Sequence, residues 1–223
     1  MKSKTNILLF CLLFVLYSCV SKQENIIEQN SIEVHKNELS RTERIQNYKD
    51  KLDSVNLFLE WKETDFELWK SKNGDLGLKT QGGTDEGIFI TKYIRQLADY
   101  RPLNEVIDTL TFKYIGSSFY KDKNNIYTHY EMAYGGNFWI VEDADTESFE
   151  VIGDCYAKDK NFIFVERAMK MDSVDYKTFK TCLGCGCFAK DKNGYYFWDE
   201  KMDKNDFLNT EETLEIYKKL QKL

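Results

Sequence analysis

Three stretches decide how this chain is built: Phe119-Tyr-Lys-Asp122-Lys-Asn-Asn-Ile-Tyr127, Tyr156-Ala-Lys-Asp159-Lys-Asn-Phe-Ile-Phe164 and Phe188-Ala-Lys-Asp191-Lys-Asn-Gly-Tyr-Tyr196. Each has an aromatic residue three positions before an Asp-Lys-Asn triplet, and each triplet leads into an apolar, aromatic run. Upstream of each lies an opening of the form Asp-x-x-Ser/Thr-Phe: Asp108 to Phe112, Asp145 to Phe149 and Asp175 to Phe179. The triplet Asp follows the opening Asp by 14 residues in the first two copies and by 16 in the third. The opening Asps are 37 and then 30 residues apart, too irregular for a strict solenoid. A fourth opening, Asp203-Lys-Asn-Asp206-Phe207, has no hairpin after it, and its Asp203-Lys204-Asn205 letters occupy the opening slot, not the triplet slot.

The residue types explain one repeat. An Asp four residues before a Phe suits a short helical turn whose free N–H groups the carboxylate caps, with the Phe as core anchor. The triplet lies between two strand-like runs and reads as a hairpin loop. Asp122, Asp159 and Asp191 suit its first position, and Asn124, Asn161 and Asn193 are expected in the left-handed conformation that closes a three-residue loop. One hairpin cannot bury its apolar face alone, so the repeats are expected to associate into a small antiparallel sheet or meander. A helix starting at Asn209-Thr210-Glu211-Glu212, with Leu214, Tyr217 and Leu220 on one stripe, is expected to cap the last edge. The repeat domain then spans 105–223 in an α+β chain.

These triplets resemble the DKNYY family, named for the repeated motif and found in bacterial envelope proteins, many of them lipoproteins. The resemblance covers Asp108 to Asp203, and only the third copy keeps the double Tyr. It implies a repeat-bearing envelope protein and assigns no catalytic residue and no ligand.

Residues 40–104 read as a helical, mixed region. Ser40-Arg-Thr-Glu43 is a capping box, and Ile45, Tyr48, Leu52, Val55 and Leu59 recur at steps of three and four, a stripe that implies docking. Gly74, Gly77, Gly82 and Gly83 mark turns. Ile90, Tyr93, Ile94 and Leu97 allow a second helix over Ile88 to Tyr100, with a strand over Ile88 to Tyr93 as the alternative.

The N-terminus reads as an address. Lys2 and Lys4 precede an uncharged apolar run from Ile7 to Tyr17, which is too short for a bilayer span of about 20 residues. The run ends Leu16-Tyr17-Ser18-Cys19, which resembles a bacterial lipoprotein box. That resemblance implies a signal peptide over 1–18, acyl chains such as palmitate on Cys19, and a membrane as partner. The polar segment 19–39 reads as a flexible tether, spanning roughly 25 Å for ~20 residues. Bacterial cell envelope, anchored in the outer membrane, is the expected location.

Composition narrows the chemistry. The chain has 223 residues and a net charge of −6, which argues against nucleic acid as a partner. At 15% aromatic residues it has the means for a packed core. Cys11 would leave with the signal, so four cysteines remain besides Cys19. An even number in an exported domain points to disulfides. Cys155 and Cys187 both sit four residues before their triplet Asp, so Cys155–Cys187 with Cys182–Cys185 is one pairing, and the two others stay open. Free thiols or a four-thiolate zinc site are the alternatives, although the spacing lacks a second paired knuckle. No metal or cofactor is expected. Asp191 to Gly194 lacks the ligand spacing of a calcium loop. His35 lies in the tether, and His129, alone in a strand, reads as packed or surface. No nucleophile, P-loop or zincin motif occurs. Tyr134, Trp139, Tyr195, Tyr196 and Trp198 read as core and cross-strand pairs more readily than as a sugar- or peptide-binding face. The chain is thus expected to be a non-enzymatic binding or interaction module for a protein or glycan. An envelope hydrolase with paired carboxylates and an assembly factor are the alternatives.

Overall fold

The computed structural model describes residues 39–64, 67–132, 135–166 and 169–223. The signal peptide, Cys19, His35, Tyr134 and all of the tether before Leu39 lie outside them. The chain divides into two units after Tyr48. The described part of the first is the start of helix α1 (Arg41–Leu59). Its capping box forms: Ser40 N–H donates to Glu43 Oε2 at 2.8 Å, and Glu43 N–H donates to Ser40 Oγ at 3.2 Å. The expected stripe is met in part: Ile45 and Leu59 are buried and Leu52 half-buried, while Tyr48 and Val55 are exposed. The helix is tied at its C-terminal end, where Asn56 Nδ2 donates to the Thr91 carbonyl and Lys72 N–H donates to the Leu59 carbonyl.

Beyond α1 the chain is mostly β and fits α+β only loosely. The first sheet is a meander of β1 (Lys62–Glu63), β2 (Leu68–Lys70), β3 (Leu76–Gly83) and β4 (Phe89–Ile94). The expected second helix over Ile88 to Tyr100 is therefore corrected to a strand. Ile90 and Ile94 are four apart, so they share a face in a helix and in a strand alike. Tyr93 separates the two. It lies on the other strand face, with its ring stacked on Trp61 at 4.4 Å, while Ile90 and Ile94 are buried. Opposite them, β3 alternates Leu76, Leu78 and Thr80 inward. A short helix α2 (Leu103–Val106) leads into the repeats.

Each repeat builds its own sheet, where one shared sheet was expected. The first repeat forms β5 (Lys113–Gly116), β6 (Phe119–Lys121), β7 (Ile126–Met132) and β8 (Gly135–Ile140). The second forms β9 (Glu150–Val151), β10 (Tyr156–Lys158), β11 (Ile163–Val165) and β12 (Met169–Lys170). The third forms β13 (Phe188–Asp191), β14 (Gly194–Phe197) and β15 (Glu200–Met202). All are antiparallel meanders in chain order.

The sheets stack in sequence because strand side chains alternate faces. In the first repeat Tyr120 and Tyr127 face back into a core with Leu68, Leu76 and Leu78 of the first sheet. Phe119 and Ile126 face forward onto Ala157 and Phe164 of the second repeat. Tyr156 and Ile163 in turn face forward onto Ala189 and Tyr196 of the third. The anchor predicted from each opening fills the core behind its own sheet: Phe112, Phe149 and Phe179, all buried. Each such ring contributes about 2 kcal/mol of apolar burial.

The fourth opening keeps this geometry and loses its sheet. Asp203 caps a 3₁₀ turn (Lys204–Leu208) by accepting from Asn205 N–H, and Phe207 is fully buried. Helix α3 (Glu211–Gln221), N-capped by Thr210, then takes the place of the next hairpin. Its Ile216, Tyr217 and Leu220 pack with Phe207 on Phe188 and Tyr195. The helix covers a face of the last sheet, where an edge was expected. Terminal caps of this kind stop a stack from exposing an apolar layer.

Candidate functional site

The motif residues assemble three times into one hydrogen-bond lattice. In the first repeat Asp122 is buried between its loop and the opening turn. Its Oδ1 accepts from Asn124 and Asn125 N–H, both at 2.7 Å. Its Oδ2 accepts from Asp108 N–H at 2.9 Å and from the Tyr127 hydroxyl at 2.8 Å. Asp108 caps its own turn, its Oδ1 accepting from Thr111 N–H and Oγ1. Thr111 Oγ1 then accepts from Lys123 N–H at 2.9 Å, and the Lys123 ammonium pairs with Asp108 at 2.5 Å. The Asp and Lys of the triplet thus each bind the opening turn, while the Asn N–H closes the loop on the triplet Asp.

The second and third repeats reproduce this arrangement. Asp159 accepts from Asn161, Phe162 and Asp145 N–H, and Lys160 pairs with Asp145 at 2.7 Å. Asp191 accepts from Asn193, Gly194 and Asp175 N–H, and Lys192 pairs with Asp175 at 2.6 Å. The Tyr196 hydroxyl donates to Asp191 at 3.1 Å, while the second repeat has Phe164 at that position and lacks the bond. Burial pushes the Tyr196 hydroxyl up to about 12, aided by that bond. Lysine contacts hold the opening carboxyls of Asp108, Asp145 and Asp175 below the usual carboxylate range.

The loop expectation is met in part. Asp122, Asp159 and Asp191 do open their loops, but Asn124, Asn161 and Asn193 do not adopt positive φ. Two amides converging on one carboxylate oxygen close the loop instead, so no left-handed residue is needed at those sites. Only the third loop uses a glycine, Gly194 at φ +148°. The reading of Asp191 to Gly194 as a turn is met as well, since its carboxylate is engaged by backbone amides.

The cysteines pair as Cys155–Cys187 and Cys182–Cys185, with Cα separations of 5.1 and 5.3 Å. The first bond joins equivalent positions of adjacent layers. Ser118 holds that position in the first repeat, where its hydroxyl accepts from Thr128 Oγ1. Glu166 lies near both Cys155 and Cys187, but sulfurs committed to a disulfide offer no thiolate to a metal. Sequence reasoning missed Asp154, whose two oxygens accept from Gly184 and Gly186 N–H and so order the cysteine-bearing loop. It also missed the Tyr156 hydroxyl, which bridges to the Cys187 and Trp198 carbonyls. Recurring glycines around three cysteines were the available signal for a loop built on free amides.

His129 is packed, as read. Burial lowers its pKa, and its Nε2 has no hydrogen-bond partner among the described residues. That edge lies against Gly136, where an added Cβ would stand 2.4 Å from Nε2. Tyr196 is buried, Tyr195 packs against Phe207 and Tyr217, and Trp139 is half-buried beside Tyr130. These rings serve the cores and cross-strand contacts. A hollow of about 590 Å³ on the third repeat is lined by Lys177, Lys180, Lys190 and Lys192.

Residues 131–200 match the model of the DKNYY family. The match takes in the second and third repeats and the end of the first. No curated protein and no solved structure matches the chain. Among the described residues no helix is long and apolar enough to cross a membrane.

Proposed function

We propose that this protein is a non-enzymatic binding module carried on a lipoprotein of the bacterial envelope, anchored in the outer membrane through Cys19. One observation carries the binding reading: the amide, hydroxyl and lysine contacts that join triplet and opening recur in all three repeats, while the exposed residues around them differ. At the second opening position after the Asp stand Leu110, Glu147 and Lys177, all exposed. A constant scaffold with a variable surface is how repeat proteins present ligand-specific faces.

The carboxylates that the fold brings together favour this over hydrolysis. The triplet Asps spend their oxygens on backbone amides, and each opening Asp is paired with a lysine. A general acid must keep its proton near neutral pH, and the opening Asps are shifted the other way. The two disulfides suit an oxidising compartment.

The test uses the full chain in a bacterial host. Wild type is expected in the membrane fraction and Cys19→Ala in the soluble one. Purified chain is expected to co-sediment saturably with at least one isolated envelope fraction. Membrane retention of Cys19→Ala would sink the anchor. Turnover of an envelope polymer without saturable binding would sink the binding reading.

A further inference from the structure

We propose that the third repeat binds a soluble, multiply charged oxyanion, a chain bearing phosphate or carboxylate groups, across Lys177, Lys180, Lys190 and Lys192. The proposal rests on the binding-module reading and names the ligand class of one face. The four lysines line a single open hollow, and Lys177 and Lys180 also line a neighbouring one beside Tyr176. Among the described residues Lys177, Lys180 and Lys190 enter no ion pair, while Lys192 is held by Asp175. Asp191 also lines the hollow, but its oxygens accept from three backbone amides and the Tyr196 hydroxyl. Its charge acts on Lys192, which leaves Lys177, Lys180 and Lys190 as the lysines of the hollow outside any ion pair among the described residues.

The other repeats supply the control. Lys180 and Lys190 face each other across a two-strand bridge, each N–H donating to the other's carbonyl. The equivalent cross-strand pair in the second repeat is Glu150 and Lys158, joined by a salt bridge of 2.9 Å. In the first repeat it is Lys113 and Lys121, and Lys121 turns away to donate to the Thr146 carbonyl. The four equivalent positions of the second repeat are Glu147, Glu150, Lys158 and Lys160, two anions and two cations. The scaffold therefore forms equally with a neutral set. Like charges placed directly opposite are unfavourable in a sheet. Four lysines gathered on one face of a chain of net charge −6 are a local feature that folding does not require. Lysine ammonium groups recognise phosphate and carboxylate as point charges.

The experiment titrates the full-length protein with inorganic tripolyphosphate at low salt by calorimetry. Alongside it run Lys177→Glu/Lys180→Glu, which installs the second repeat's own residues, and Glu147→Lys/Glu150→Lys, which installs the third repeat's residues in the second. Wild type is expected to bind one equivalent saturably. The first variant is expected to lose at least tenfold in affinity with an unchanged or raised Tm. The second is expected to gain a further equivalent. Equal binding by wild type and Lys177→Glu/Lys180→Glu overturns the proposal, as does no saturable binding by wild type at millimolar probe. Flotation of unlipidated Cys19→Ala with phosphatidylglycerol vesicles, without tripolyphosphate binding, assigns the lysines to a membrane and also overturns it. Lysine variants that still co-sediment with the envelope fraction would sink this proposal and leave the binding-module reading standing.

Discussion

The second and third repeats are built on the same hydrogen bonds and differ in how much water reaches them. In the second, Asp159 is 2% exposed and Phe164 fills the rear core without a hydroxyl. In the third, Asp191 is half-exposed, Tyr196 adds a bond to it, and four lysines surround the loop. The interior repeat is thus sealed between layers, while the exterior one has polar support and an open rim. Equivalent residues are therefore expected to differ in energetic weight, which single substitutions can measure.

The largest effect is expected at the carboxylate. Asp159→Ala leaves the N–H groups of Asn161, Phe162 and Asp145 without their acceptor. An orphaned buried donor costs about 1–3 kcal/mol, and with these three part-buried each is placed near the lower end, about 3–5 kcal/mol together. Asp191→Ala orphans three amides as well, but water can reach them at the rim, and a loss of about 1–2 kcal/mol is expected. Urea unfolding of both variants is the measurement. Equal losses would mean that burial does not set the weight of this lattice.

The bond between the layers comes next. Cys155–Cys187 closes 32 residues, for which chain entropy gives about 3.7 kcal/mol, whereas Cys182–Cys185 closes three and gives roughly half that. Cys155→Ser/Cys187→Ser puts in both repeats the residue type that the first repeat has at Ser118. Its melting temperature is expected to fall well below that of Cys182→Ser/Cys185→Ser. A larger drop in the latter would show that the cysteine loop, ordered by Asp154, matters more than the link between layers.

The same contrast shows what the sequence makes legible. Periodic letters exposed the repeats, the opening Phe anchors and the equivalence of Cys155 and Cys187, because each is a local pattern recurring at fixed offset. The separate sheets were not legible, since alternation along a strand says that both faces are apolar but not which neighbour covers each. The first sheet was hidden for a different reason: Ile90 and Ile94 satisfy both periods at once. Recurrence of Lys one residue after each triplet Asp was visible, but its partner, the opening Asp, lies 15 residues away in the second repeat and is paired only by the fold. The lysine-lined hollow was open to the same comparison of equivalent positions, yet the cross-strand register is what sets Lys180 against Lys190.

A smaller effect separates the repeats at the fifth position after the triplet Asp. Tyr196→Phe removes one hydroxyl bond to a half-exposed carboxylate, and a cost of about 1 kcal/mol is expected. Phe164→Tyr makes the reverse change in the second repeat, where Asp159 Oδ2 accepts from Asp145 N–H. If the repeats are equivalent, the new hydroxyl reaches that oxygen and stabilises the chain by about 0.5–1 kcal/mol. Destabilisation of Phe164→Tyr in thermal melts would show that the core between the first and second repeats has no room for the added oxygen, and that the equivalence ends at the backbone.

The smallest effect concerns the lysine that closes each lattice. Contact with Lys123, Lys160 and Lys192 lowers the opening carboxyls, with the largest displacement at Asp145 in the second repeat. A carboxyl whose folded pKa is depressed contributes stability that is complete above its unfolded value of about 3.9 and is lost as pH falls through the folded one. Stability is therefore expected to be flat in this respect from pH 7 down to about 4, and to decline below it. The triple variant Lys123→Met/Lys160→Met/Lys192→Met removes the cations, so its acid limb is expected to be shallower. The pairs are exposed on the lysine side, so added salt is expected to bring the wild-type limb toward that of the variant. Identical acid limbs in wild type and triple variant would mean that the amides and hydroxyls hold these carboxylates without the lysines, in the sealed repeat and the open one alike.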